Sequence, residues 1–179
     1  MIRDVHALPG FTITCLPGVK LATLAERIFE PHYRLDKYDL VILHAGTNDI
    51  NNCTAGQLID IVDMIVKRYR QSFTGHIAFS TIIPRPRDGK KLASEVKLFN
   101  RSLVSWCERN GCLCLRTHGP FLKGGRPRQH LFNRGLLHLD SRGPPPSGAF
   151  MLTNFLRSQL SDKILIPRIQ EIEAKFFGV

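Results

Sequence analysis

Val41-Ile42-Leu43-His44-Ala45-Gly46-Thr47-Asn48-Asp49-Ile50 is the stretch whose reading decides the fold. Its first half is apolar with Asp39 ahead of it, and its second half turns polar at Gly46. A short apolar run bounded in this way fits a strand over 39–45 buried on both faces, as in the middle of a parallel sheet. In open α/β sheets ligands settle beyond the carboxyl ends of strands, where Gly46-Thr47-Asn48-Asp49 falls. Gly46 is the residue type that lets backbone come close to a ligand. The Asn48 amide is a donor of the kind that stabilises a developing oxyanion in acyl transfer. Asn and Asp after a strand also commonly do no more than cap the next turn.

Outward from this stretch, strand and helix patterns alternate. Upstream, Phe11-Thr12-Ile13-Thr14-Cys15-Leu16 alternates as a short strand ended by Pro17-Gly18, and Met1-Ile2-Arg3-Asp4-Val5 is compatible with a helix that Pro9-Gly10 ends. Leu21, Leu24, Ala25, Ile28 and Phe29 recur at helical spacing before Pro31. Downstream, Thr54 suits the N-cap of a helix carrying Leu58, Ile61, Val62, Ile65, Val66 and Tyr69, the clearest amphipathic stripe in the chain. A strand over 76–83 closes at Pro84 and Pro86. Leu92, Val96, Phe99, Leu103 and Trp106 mark a long helix, and Cys112-Leu113-Cys114-Leu115 a further short strand. Residues 116–149 are rich in Gly and Pro, and long loops of this kind inside compact domains are usually functional. Ser147 suits the cap of a helix through Leu160, and a tail over 161–179 is expected to add another. The alternation predicts an α/β fold with a parallel sheet and helices on both faces.

The composition narrows the class. With 179 residues and 43% hydrophobic side chains, the chain is long enough for one full core. No apolar run reaches the roughly 18 residues of a membrane span, and no signal-peptide pattern opens the chain, so a soluble, intracellular and cytoplasmic protein is expected. Cys15, Cys53, Cys107, Cys112 and Cys114 are odd in number and form no C-x-x-C pair, which predicts reduced thiols and neither a disulfide framework nor a zinc site. No motif calls for a cofactor or metal. The net charge of +10 implies attraction to phosphates.

Three places carry groups suited to acyl transfer. Gly18 follows the first strand, Asn48 the second, and His138 lies in the late loop Gly135-Leu136-Leu137-His138-Leu139. A backbone N–H and an amide are oxyanion donors and an imidazole is a general base. Taken alone, His138 is equally a loop histidine, and His44 most simply a core histidine with a hydrogen-bonded ring.

In this order the blocks resemble those of the SGNH hydrolases, the GDSL-type esterases and lipases. Those carry a nucleophilic Ser in Gly-Asp-Ser, then a Gly, a Gly-x-Asn-Asp and an Asp-x-x-His. The similarity is strongest to the esterase-like domains of vertebrate retrotransposon proteins. There a Leu-Pro-Gly turn, a Gly-Thr-Asn-Asp-Ile run and a Gly-Leu-His-Leu-like run follow one another, and the likeness covers residues 1–160. It implies a three-layer, flavodoxin-like parallel sheet and an activity on small acyl esters. Gly18 and Asn48 would form the oxyanion hole, His138 would be the base, and Gly46, Thr47 and Asp49 would shape the site.

Two departures matter. The sequence holds no Gly-Asp-Ser, so the resemblance implies that the nucleophile and its strand lie upstream of Met1, leaving the strands at 11–16 and 39–45 one strand spacing apart. Gly135 stands where the family has its Asp. In the triad template of the serine proteases, loss of that carboxylate function costs on the order of 10⁴ in turnover. Asp140 is poorly placed to substitute, and Ser80, Thr81 and Ser141 read as solvent-facing or turn residues rather than replacement nucleophiles. The expectation is a hydrolase scaffold, impaired as a pseudoenzyme in this chain.

The basic residues cluster. Arg116, Lys123, Arg126, Arg128, Arg134 and Arg142, against Asp140 alone, supply about half of the net charge, and Arg85, Arg87, Lys90 and Lys91 form a second group. A basic rim at the carboxyl ends of the strands suits RNA or another phosphate-bearing polymer, with Arg85, Arg87, Lys123, Arg126 and Arg128 as the contacts. That makes a non-catalytic RNA-binding module the alternative function.

Overall fold

A computed structural model of the chain describes residues 11–136, 138–142 and 147–178. The helix expected at residues 1–5 lies outside them.

The centre is a parallel sheet in the order β1 (Leu40–Leu43), β2 (His76–Ser80), β3 (Leu113–Leu115). Leu43 pairs with Phe79, and Phe79 with Cys114. Parallel neighbours need a crossover, and each is a helix: α2 (Ala55–Ser72) joins β1 to β2, and α3 (Lys90–Arg109) joins β2 to β3. Helix α1 (Leu21–Arg27) precedes them. Alternate strand residues Leu43, Ile77, Phe79 and Cys114 share a core with Leu58, Val62 and Ile65 of α2, Phe99 and Leu103 of α3, and Leu21 and Leu24 of α1. The stripe read at Leu58–Tyr69 is buried because it is that core's helical wall. At its start Thr54 and Gln57 satisfy each other's backbone N–H groups in a capping box.

A second, smaller core lies past the strand ends, where Ile83, Phe121, Leu131, Phe132 and Leu139 meet Leu152 of α4 (Gly148–Gln159). Between β3 and α4 the long segment holds a two-residue hairpin, β4 (Leu122–Lys123) with β5 (Arg126–Pro127). Helix α5 (Asp162–Phe176) follows. It is tied to the sheet by Arg168 donating to the Cys114 carbonyl at 3.4 Å and by the hydrogen bond between His76 Nε2 and Glu173 Oε1 at 3.1 Å. All five cysteines are free, with Cys107, Cys112 and Cys114 buried. Among the described residues, no helix is long and apolar enough to cross a membrane.

The strand expected at 11–16 does not form. These residues carry no ladder, and Phe11 and Ile13 are exposed. Alternation makes a segment fit for a sheet, but a strand exists only where a neighbour takes its N–H and C=O groups. Among the described residues nothing pairs with 11–16 or with the outer edge of β1. The strand expected at 76–83 also stops early, at Ser80. Beyond it Ile82 bonds a side chain instead of a strand: its N–H donates to Asn100 Oδ1 and its carbonyl accepts from Asn100 Nδ2, both at 2.8 Å.

Candidate active site

The loop after β1 is a tight turn in which the N–H groups of Asp49 and Ile50 both donate to the Gly46 carbonyl. Gly46 has φ +101°, a conformation that side-chain-bearing residues rarely adopt. A Cβ there would stand 3.2 Å from Ile82 Cδ1. The backbone bend and the closeness of Ile82 both require glycine here, and Gly46 also lines the cavity described below.

Asn48 does not cap its own turn. It is exposed, and its Nδ2 crosses to the Val19 carbonyl at 3.0 Å, which leaves its second amide proton to point elsewhere. Asp49 does act as a cap, for a helix 28 residues away. Its two carboxylate oxygens accept the N–H of Leu21, the first residue of α1, at 3.1 and 3.0 Å. At 3% exposure Asp49 is held above the usual carboxylate range by desolvation, opposed by this hydrogen bond. Together the two side chains bind the loop after β1 to the turn at Gly18. That turn closes with the Val19 N–H on the Leu16 carbonyl, and Gly18 has φ +70° and is exposed.

His138 sits on a turn held by backbone. Phe132 and Leu139 form an isolated bridge, the Asn133 N–H donates to the His138 carbonyl and the Leu136 N–H to the Asn133 carbonyl, each at 2.8 Å. Leu136 has φ +53°, an uncommon conformation for a bulky residue. The His138 ring is exposed and makes no hydrogen bond among the described residues. The Asp140 side chain is engaged locally, with Oδ1 accepting the Arg142 N–H at 3.0 Å.

Gly18, Asn48 and His138 line one cavity of about 1500 Å³. Small-molecule sites span roughly 300–1,000 Å³; this cavity is larger because its lining also runs along the outer edge of β1 to residues 11–16. Ile42, His44 and Ser80 also line it, as do Leu152, Leu156 and Leu165 of α4 and α5.

Ser80 and Thr81, read from sequence as turn or solvent-facing, are buried. Extending the register from Leu43 and Phe79 puts His44 beside Ser80, and the Ser80 hydroxyl bonds His44 Nδ1. Burial lowers the His44 pKa to about 4, so the ring is neutral at physiological pH and a weak base. The two side chains satisfy each other at the cavity lining, with Ser80 at 3% exposure and His44 half-buried. Thr81 Oγ1 accepts the His118 N–H at 3.1 Å and lies 2.8 Å from His118 Nδ1, and desolvation lowers the His118 pKa as well.

Of the basic residues singled out, Lys123 and Arg126 are exposed on the β4–β5 hairpin and Arg87 is exposed beyond β2. Arg85 and Arg128 are engaged inside the protein. The Arg85 side chain, 9% exposed, pairs with Asp88 at 2.9 Å. Arg128 Nη1 donates to the Pro120 carbonyl at 3.3 Å while its buried Nε has no partner among the described residues. The sequence showed these two as charges in basic clusters; only packing distinguishes them from their neighbours. Among the described residues no set of three metal-ligating side chains converges.

The chain is similar to a member of the lipolytic protein G-D-S-L family from Veillonella parvula (TM-score 0.65, 13% identity, 81% of this chain and 76% of that one covered). It is also similar to a carbohydrate esterase family 3 protein from Talaromyces cellulolyticus (0.63, 15%, 86% and 70%). The esterase domain of the zebrafish ZfL2-1 retrotransposon ORF1 protein aligns at 26% identity over 89% of this chain and 92% of that one, with a TM-score of 0.49. No protein of curated function matches. The first two likenesses carry the fold, an α/β parallel sheet flanked by helices. The model of the GDSL-like lipase/acylhydrolase family matches residues 2–143, most of the length, and the chain belongs to that family.

Proposed function

We propose that this is an SGNH-type acyl-ester-binding domain whose catalytic set is incomplete among these 179 residues, so that it turns over esters poorly. The observation that carries the reading is the convergence of Gly18, Asn48 and His138 on one cavity. An ester carbonyl placed there would meet the Gly18 N–H and the second Asn48 amide proton as charge develops on oxygen, each such donor being worth about 10²–10³ in rate. His138 would take the proton of the attacking group and return it to the leaving alkoxide. Two facts argue for low turnover. The sequence has no Gly-Asp-Ser, and with Gly135 in place of a carboxylate the exposed imidazole has no partner to hold its tautomer.

The test adds an upstream strand ending in Gly-Asp-Ser and follows p-nitrophenyl butyrate hydrolysis. Activity that appears with the added strand and disappears with His138→Ala supports the reading. A folded, extended protein that stays silent overturns it.

A second reading, RNA binding, rests on the exposed Lys123 and Arg126 at the hairpin and on the net charge of +10. It expects binding that weakens steeply with salt, and a shallower log–log slope when both residues are neutralised. Salt-independent affinity rules it out.

A further inference from the structure

Between the two halves of the site lies the turn Arg85–Asp88, and it touches both. The turn is closed by the Asp88 N–H on the Arg85 carbonyl at 3.0 Å and by the side-chain pair of Arg85 Nε with Asp88 Oδ2 at 2.9 Å, with side chains only 9% and 6% exposed. Arg85 Nη1 then reaches the Thr47 carbonyl at 3.4 Å, inside the loop that presents Asn48. On its other side the Arg87 N–H donates to the Leu136 carbonyl at 3.3 Å, inside the turn that presents His138. Pro84 and Pro86 fix φ on either side of Arg85. The base of the turn is anchored on α3 through the paired bonds of Asn100 to Ile82.

We propose that this turn is a positioning device: Arg85, oriented by Asp88, sets the distance between the Asn48 amide and the His138 imidazole. A guanidinium removed from water is costly unless its donors are used, and here one face meets a carboxylate and another a backbone carbonyl of the site. Leu136 supplies the complementary sign. Its left-handed backbone is uncommon and costs free energy, and its carbonyl is the one that Arg87 holds. Arg85 is thus a positioning residue that touches no substrate. The consequence for chemistry rests on the ester reading; the geometric tie does not.

The test records NMR signals of the Asn48 side-chain amide and the His138 ring in the wild type, Arg85→Gln, Arg85→Lys and Asp88→Asn. Arg70→Gln is the control, because Arg70 bonds the Asn110 carbonyl at 2.6 Å at the opposite end of the sheet. Both signals are expected to shift in Arg85→Gln, to return partway in Arg85→Lys and to stay in place in Arg70→Gln, a pattern that general destabilisation does not produce. Butyrate, the probe for the cavity, is expected to bind about tenfold more weakly to Arg85→Gln, in keeping with the cost of small misplacements. Wild-type signals in a folded Arg85→Gln protein overturn the proposal. If that variant does not fold, unchanged signals in Asp88→Asn overturn it equally. A wild type that ignores butyrate removes the ester reading, while the ligand-free shifts still decide the tie.

Discussion

The two walls of the cavity are built in different ways. On one wall Asn48 and Asp49 are held by side-chain bonds that cross 28 or 29 residues of sequence, to Leu21 and Val19. On the other His138 is held by a local backbone turn, with its ring exposed. The first wall is part of the domain's architecture, because Asp49, next to the amide, also holds the first N–H of helix α1. The second is an attachment to the small core around Phe121 and Leu131. A group fixed by long-range contacts is preorganised but cannot be altered without a cost in stability, whereas a group on an exposed turn can be altered freely and is less well aimed.

That contrast can be broken most directly at Asp49. Replacing it with Ala leaves the Leu21 N–H buried without its charged acceptor, and we expect a loss of about 3 kcal/mol in urea unfolding. The pH dependence sharpens the point. Because the folded pKa of Asp49 is raised by desolvation, the proton-linked part of its contribution is fully present below the unfolded carboxylate pKa and is lost as pH rises through the folded value, while the hydrogen bond to Leu21 remains. Asp49→Ala should lack that step. A variant as stable as the wild type, with the same pH profile, would show that the amide wall is not architectural.

A smaller effect is expected at Gly46. Ala in its place must adopt a φ near +101° and press on Ile82, a cost of about 2 kcal/mol. Thermal unfolding measures it, and an unchanged midpoint would mean that the loop relaxes. The smallest effect belongs to the other wall. His138→Ala should move stability by less than about 0.5 kcal/mol, as for other exposed side chains, while removing the hydrolysis seen once an upstream Gly-Asp-Ser strand is present. A larger loss in urea unfolding would put His138 in the architecture too.

Much of the scaffold was legible in the residues. The apolar run at 40–43, the stripe from Leu58 to Tyr69 and the cap at Thr54 are local patterns, and local patterns report which face an element must bury. Ser80 and Thr81 were misread for the same reason: their neighbours in sequence say strand end and turn, but their neighbours in space are His44, Leu115 and His118. Arg85 was read as a rim charge because sequence counts charges without saying which are enclosed. Residues 11–16 show the limit from the other side, since their alternation is real yet makes no strand without a partner.

By itself, then, the order of residues determined the α/β class, the parallel sheet, the position of Asn48 beyond a strand end and the family whose motif it shares. Only the tertiary structure decided that Asp49 starts a distant helix, that Asn48 spans to Val19, that the turn from Arg85 to Asp88 touches two loops and that His138 stands exposed. Hydrophobic periodicity is written along the chain, whereas burial and hydrogen-bond partnership arise from segments far apart in sequence meeting in space.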